Sequence, residues 1–247
     1  MQSSQVSPAL QINNTIALTT EQRHYLSNVL RLEEGAEFIA LDRQGGWWLT
    51  QLVNGLDNAK IIDRLENNSE LAAQITLAIA MPKGSNLESV IRQSTELGVR
   101  QIVPLFSDRT ILKSGMEIGK QKRDRWQRIA EEAAELSMRT HIPAIDQPQT
   151  LSAWLNNLAQ SPVALLKYIC VTSPEAPHLL TSLQASSLSE NYAQIIVATG
   201  CEGGWTTREE AMAIAQGFIP VSLGDRVFSA VTAPVVALSI IGAFLET

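Results

Sequence analysis

The chain has 247 residues, 45% of them hydrophobic and 18% charged, enough to bury a core as one domain or two and polar enough to dissolve. No apolar run approaches a membrane span and no basic leader precedes one, so a cytoplasmic rather than membrane or secreted protein is expected. The net charge of −6 excludes a generic nucleic-acid binder, and its distribution is uneven: residues 1–70 carry −4, residues 71–139 carry +3 and residues 140–247 carry −5. Phosphate contacts therefore belong in the middle block. The cysteines Cys170 and Cys201 lie far apart without metal-ligand spacing, so no metal site is expected.

Residues 1–11 are polar. From Ile12 to about Leu65 short β-like runs, Thr15–Leu18, Ala36–Leu41, Trp47–Val53 and Ala59–Ile62, alternate with turn residues, and Gly45-Gly46 reads as a hairpin. A helix from Thr20 to about Leu30 interrupts them. So many short strands predict a small β-barrel over residues 1–70. Trp47-Trp48 offers either a face for base stacking or half-buried strand packing. Asn67-Asn68-Ser69-Glu70 is a polar linker.

Beyond it strands and helices alternate, which predicts an α/β domain over residues 71–247. Gln74–Ala80 is a continuous apolar strand. Ser85 and Glu88 form a capping-box pattern opening a helix to about Leu97, Gly98 ends it, and Gln101–Leu105 is the next strand. A basic stretch from Lys113 to Arg128 opens a long helix through Ser137. Its Lys120, Lys122, Arg123, Arg125 and Arg128 make either a phosphate-contacting face or a solvated helix start. A short strand at Ala144-Ile145, a helix from Leu151 to Ala159, a strand at Val163–Leu166 and a helix from Glu175 to Leu183 complete the middle.

The last fifty residues carry the ligand signal. A buried strand, Gln194–Ala198, runs into Thr199-Gly200-Cys201-Glu202-Gly203-Gly204-Trp205, and two overlapping capping boxes, Thr206 with Glu209 and Thr207 with Glu210, open a helix. A second strand, Phe218–Leu223, runs into Gly224–Ser229 and an apolar helix from Thr232 to Phe244. Two strand-to-loop junctions side by side are how an α/β sheet builds a crevice at the carboxyl ends of its strands. Gly200, Gly203 and Gly204 permit positive φ and close backbone approach. No phosphate-binding Lys-Ser/Thr follows the glycines and no GxGxxG is present. Glu202 inside the turn suits a neutral or cationic ligand, and a tight turn with no ligand is an equal reading of these residues.

Gly200-Cys201-Glu202-Gly203-Gly204 and Leu223-Gly224-Asp225-Arg226-Val227-Phe228-Ser229-Ala230-Val231-Thr232-Ala233 resemble the closing motifs of the SPOUT-class RNA methyltransferases, and best the family that methylates N3 of a uridine in small-subunit ribosomal RNA. Thr95-Glu96-Leu97-Gly98, Pro104, Arg109, Arg125-Trp126, Ala133-Ala134-Glu135, Arg139 and Ile142-Pro143 follow that family's pattern in order, and Tyr25 to Arg31 resembles its PUA-like RNA-binding domain. The resemblance implies a SPOUT-type α/β domain with a trefoil knot, preceded by a PUA-like β-barrel, a homodimer, and S-adenosylmethionine as cofactor. It implies cofactor contacts at Thr199, Gly200, Glu202, Gly203, Gly204, Leu223, Gly224, Val227, Phe228, Ser229, Thr232 and Ala233. Arg109, Arg139 and Glu202 become the catalytic candidates, with Glu202 the carboxylate nearest by motif. Arg31, Lys83, Lys120, Arg123 and Arg125 become the RNA contacts.

Several polar positions depart from that pattern. The family's proline is Cys201, its arginine Ser229, its glutamate Val231, its glutamine Leu136, and a lysine Gln93. These departures motivate a second reading, a relative that binds RNA or cofactor with weak or no methyl transfer. A third, an unrelated α/β enzyme binding a nucleotide, lacks the phosphate motifs. His24, His141 and His178 lie outside the glycine loops, and no Ser-His-Asp or Cys-His arrangement is visible.

Overall fold

A computed structural model describes residues 3–5, 11–12, 14–42, 46–66, 69–111, 120–158, 165–186 and 194–247. Gly45, the linker residues Asn67-Asn68 and the helix start expected at Lys113 lie outside them. Contacts divide the chain into two units: Met1–Glu70 with Ala134–Ile142, and Leu71–Ala133 with Pro143–Thr247.

The first unit holds one six-stranded sheet. Its strands are β1 (Ser3–Gln5), β2 (Gln11–Ile12), β3 (Thr15–Ala17), β4 (Glu37–Leu41), β5 (Trp47–Val53) and β6 (Asn58–Leu65), in the order β1-β4-β5-β6-β3-β2. All pairings are antiparallel except β1 on β4. Alternation places Phe38, Ala40, Leu52, Ala59 and Ile61 in one core with Leu26. The one buried hydroxyl on that ladder, Thr50, donates to the Phe38 carbonyl at 2.9 Å. Trp47 is buried. Trp48 donates its indole N–H to Asp42 at 3.0 Å and carries the Arg64 guanidinium 5.6 Å above its ring. Trp47 is thus committed to strand packing, while Trp48 stays half-buried. The expected helix splits into α1 (Thr20–His24), opened by a Thr19/Gln22 capping box, and a π-helical turn, Tyr25–Val29.

The same unit includes a largely buried ion pair. Arg139 is buried and its guanidinium lies on the Glu70 carboxylate, which also accepts the backbone N–H groups of Thr140 and His141 at 3.0 Å each. Burial alone would raise the Glu70 pKa; the hydrogen bond and charge of Arg139, with the His141 N–H, outweigh it and hold the carboxyl below its ordinary value.

The second unit is a parallel sheet. Its strands are β7 (Gln74–Ala80), β8 (Gln101–Phe106), β9 (Ala144–Ile145), β10 (Gln149–Thr150), β11 (Leu165–Cys170), β12 (Gln194–Thr199) and β13 (Ile219–Val221). The order is β10-β8-β7-β12-β11-β13, with β9 beside β8. Ile75 and Leu77 to Ala80 are all buried, as a strand covered on both faces requires. Ala78, Ala80, Ile196 and Ala198 share a core with α4 (Leu151–Leu158) and with Ala213 of α6 (Thr207–Ala215). The alternate residues face the other way, where α7 (Thr232–Leu245) touches β12 and packs on α2 (Asn86–Glu96) and α5 (Leu179–Ala185). The long helix α3 (Lys120–Leu136) buries Trp126, Ala130 and Ala133 at helical spacing.

Three local expectations are corrected. Ser85 makes no side-chain cap, and Glu88 pairs with Arg125 at 2.7 Å instead. Only the Thr206/Glu209 box forms at α6. The helix expected from Glu175 begins at Leu179, because Pro177 disfavours helical backbone in the residue before it, and His178 caps the Leu180 N–H.

Candidate active site

Strands β12, β11 and β13 are parallel neighbours, so their carboxyl ends open on one edge of the sheet. The segments leaving them enclose a cavity of about 160 Å³ that is open to solvent. A crevice at this place is what strand order alone predicts.

The glycine turn forms its floor. A Cβ at Gly200 would lie 3.0 Å from the Gly204 Cα, and Gly204 has φ +67°. Its N–H closes the turn on the Cys201 carbonyl at 2.8 Å. Gly203 is spared for another reason: its φ is not positive, but a Cβ would press on the Arg109 side chain at 3.0 Å. Arg109, exposed on the loop after β8, donates to the Gly203 carbonyl. Below the turn, the buried Glu209 accepts the Thr206 N–H at 2.9 Å and the Asp108 N–H at 2.8 Å. One carboxylate thus caps α6 and ties it to the Arg109 loop.

The second wall is the loop from Leu223 to Ala233. Ser222 accepts the Gly224 N–H at 3.1 Å, and the Ser229 hydroxyl shares the Thr232 N–H at 3.1 Å with the carbonyl of the same residue, just ahead of α7. The Ser229 carbonyl also accepts the Ala233 N–H at 2.9 Å, so the backbone of residue 229 holds the start of α7. Val231 sits at the N-cap position and makes no cap.

Of the cofactor positions expected from sequence, Gly200, Gly203, Gly204, Leu223, Gly224, Val227, Phe228, Ser229 and Ala233 line the cavity; Thr199, Glu202 and Thr232 do not. Arg109 lines it. Glu202 is turned elsewhere, accepting the Lys83 backbone N–H at 3.0 Å and bracing the loop after β7. Arg139 belongs to the first unit, where Glu70 holds it, so its side chain is spent on structure. Lys83 and Lys120 are exposed, Arg31 is exposed with φ +55°, Arg123 is half-buried, and Arg125 is held by Glu88. Arg125 and Arg128 line a second hollow between α2 and α3 with Gln93, Arg92, Glu88 and Glu132.

Sequence reasoning missed Cys170, Val171 and Thr172 at the end of β11, and Trp205, Glu210, Asp225 and Arg226. Placing β11 over Val163–Leu166 hid its carboxyl end; the strand runs on through Lys167 to Cys170. Burial pushes the Cys170 thiol up to about 12, so it is neutral at physiological pH. Cys201 is buried with its Sγ 3.8 Å from the Ser107 Oγ, a packing role.

Main-chain groups and apolar side chains dominate the walls, and among the described lining residues there is no lysine. The charged ones are Arg109, Glu210, Asp225 and Arg226. This donor set fits a compact ligand that is part apolar and neutral or cationic, such as an adenosine carrying a sulfonium; it offers a polyphosphate little.

The family model for an RNA methyltransferase domain matches residues 69–242, and one for an RNA methyltransferase PUA domain matches residues 18–62. The ribosomal RNA small subunit methyltransferase E of a Synechocystis species is 46% identical over 98% of this chain and 77% of its own length. That of Bacillus subtilis is 30% identical over 92% and 89%. The crystal structure of the Neisseria gonorrhoeae methyltransferase E bound to S-adenosylmethionine superposes with a TM-score of 0.81 at 25% identity, covering 98% of this chain and 97% of that one. A Legionella pneumophila protein in complex with the same cofactor gives 0.80 at 27%, covering 98% and 96%. A small, mainly antiparallel PUA-like unit followed by a parallel-sheet SPOUT-type unit accounts for both sheets, and the chain belongs to the RNA methyltransferase family of the ribosomal RNA small subunit methyltransferase E type.

Proposed function

We propose that the chain is an S-adenosylmethionine-dependent methyltransferase acting on N3 of a uridine in small-subunit ribosomal RNA, with the cavity at β11, β12 and β13 as the cofactor site. The observation that carries this reading is the convergence of two glycine-containing loops on one cleft, Gly200–Gly204 and Leu223–Ser229, in a chain whose relatives include proteins solved with that cofactor. The cofactor supplies a methyl group on a sulfonium. Main-chain groups of the two loops, with Leu223, Val227 and Phe228, would hold its adenosine and exclude water. Arg109, anchored on the Gly203 carbonyl, would orient the RNA at the mouth, so that the uridine nitrogen and the methyl carbon meet in line. Glu202 is assigned the bracing of Lys83 rather than proton removal, and solvent at the open mouth takes the weakly acidic N3 proton.

The first unit is proposed as the RNA-binding domain, with Arg31; Lys83, Lys120 and Arg123 serve on the second. A cytoplasmic homodimer belongs to the same reading, as does the knotted chain end. Half of α7 supports the dimer: Pro234, Ala237, Leu238 and Ile241 are buried while Val235, Val236, Ile240 and Phe244 are only partly covered. Light scattering at tens of micromolar should give twice the chain mass. The decisive assay is transfer of labelled methyl from S-adenosylmethionine to small ribosomal subunits lacking the modification. Incorporation at uridine N3 is expected; none at any enzyme concentration, with cofactor binding intact, would favour the non-catalytic reading that Ser229 and Val231 motivate.

A further inference from the structure

Four ionisable side chains that carry charge at neutral pH line the cavity: Arg109, Glu210, Asp225 and Arg226. They are not equivalent. Arg109, Asp225 and Arg226 are exposed, whereas Glu210 is half-buried in the first turn of α6. Arg109 is engaged with the Gly203 carbonyl, and the Arg226 guanidinium lies 5.9 Å over the Phe228 ring. The capping work at this helix end is done by Glu209, whose carboxylate binds the Thr206 and Asp108 N–H groups. Glu210 is thus left over from the local structure: among the described residues its carboxylate has no ion pair or side-chain hydrogen bond. A half-buried carboxylate is screened less by water and salt than the three exposed groups, so it is the lining charge a ligand inside the cleft should feel most strongly.

Building on the proposed cofactor site, we propose that Glu210 is the specificity-determining charge of the cleft, one that favours the sulfonium form of the cofactor over its demethylated thioether product. S-adenosylmethionine and S-adenosylhomocysteine share the adenosine, the α-ammonium and the carboxylate. They differ by one methyl and one positive charge. A wall carboxylate that lies nearer the sulfonium than the α-ammonium therefore raises affinity for the donor and leaves the product nearly untouched. The cost of the exchange falls on product retention: once the methyl has left, the charge that held the ligand is gone and the spent cofactor leaves more readily.

The test is calorimetric titration of wild type, Glu210→Gln, Glu210→Asp and Asp225→Asn with each compound. In Glu210→Gln the donor should bind about two- to fivefold more weakly, the range for a partly exposed charge pair, while the product's Kd stays within about 1.5-fold. Glu210→Asp should keep most of the preference, since charge and not shape sets it. Asp225→Asn should move the ratio less than Glu210→Gln, and added salt should shrink the wild-type ratio more than that of Glu210→Gln. An equal loss for both compounds in Glu210→Gln would mean a packing role and overturn the proposal, as would an unchanged ratio. Wild type that binds neither compound would overturn the cofactor site itself, a different result from either.

Discussion

Gly203 and Gly204 stand next to each other, and a methyl group means something different at each. At Gly204, with φ +67° and open space where a Cβ would go, alanine pays only in backbone strain, about 1 kcal/mol. At Gly203 the backbone is ordinary and the new atom pushes the flexible Arg109 arm. Thermal melts should therefore show Gly204→Ala several degrees below wild type and Gly203→Ala close to it, while Gly203→Ala impairs methyl transfer by unseating Arg109 from the Gly203 carbonyl. Glu202 gives a second residue-scale outcome. A general base contributes about 10²- to 10⁴-fold. With its carboxylate on the Lys83 N–H, Glu202→Gln should cost less than about tenfold in kcat; a hundredfold loss would restore it as the base.

At the scale of elements, the two helices behind the cleft start in different ways, and their starts hold the walls. Glu209 satisfies donors of both α6 and the Arg109 loop from a buried position, so Glu209→Ala strands two N–H groups and should cost about 2–3 kcal/mol in denaturant unfolding. Ser229→Ala removes a hydroxyl whose Thr232 N–H keeps the Ser229 carbonyl, so it should cost about 0.5 kcal/mol or less. Restoring the family's residues with Ser229→Arg and Val231→Glu leaves those backbone bonds in place, so any gain in methyl transfer should come with little change in melting temperature. The α6 start was legible because a capping box is a local contract between Thr206 and Glu209. The identical pattern at Ser85 and Glu88 failed: Ser85, at φ −95° and ψ 7°, lacks the extended backbone of an N-cap, and the Glu88 carboxylate goes to Arg125, 37 residues on. The glycine loops were legible as backbone requirements. The third side of the cleft was not: nothing local says that β11 runs on through a lysine and a tyrosine to Cys170, and only pairing with β12 and β13 extends it. The partner of Arg139 was hidden for the same reason, its motif match saying nothing of the Glu70 carboxylate that holds it.

Over the whole molecule, that ion pair ties the segment Ala134–Ile142 to the first unit, although in sequence it follows sixty residues of the second. Because the Glu70 pKa is lowered from its ordinary 4.5 by folding, its contribution is fully present above that value and is lost as pH falls through the depressed one. Wild type should be more stable than Glu70→Gln at pH 7, and the gap should narrow as pH falls below 4.5 and close once it passes the depressed value; a constant gap would mean that ionisation of Glu70 is not what is lost.

The sheet of the second unit is laid down out of order. β12 lies between β7 and β11, so Gln74 must wait for Gln194 to find its neighbour, 120 residues later. Until then a growing chain presents β7, apolar on both faces, with one flank unzipped, the kind of edge that recruits strands from other molecules. The protein is thus most vulnerable when it is nearly finished, and a chaperone or the shelter of the ribosome has most to do in the interval between β11 and β12. A chain ending after residue 193 should aggregate when released, whereas one lacking only the last two residues, outside α7, should fold and stay in solution.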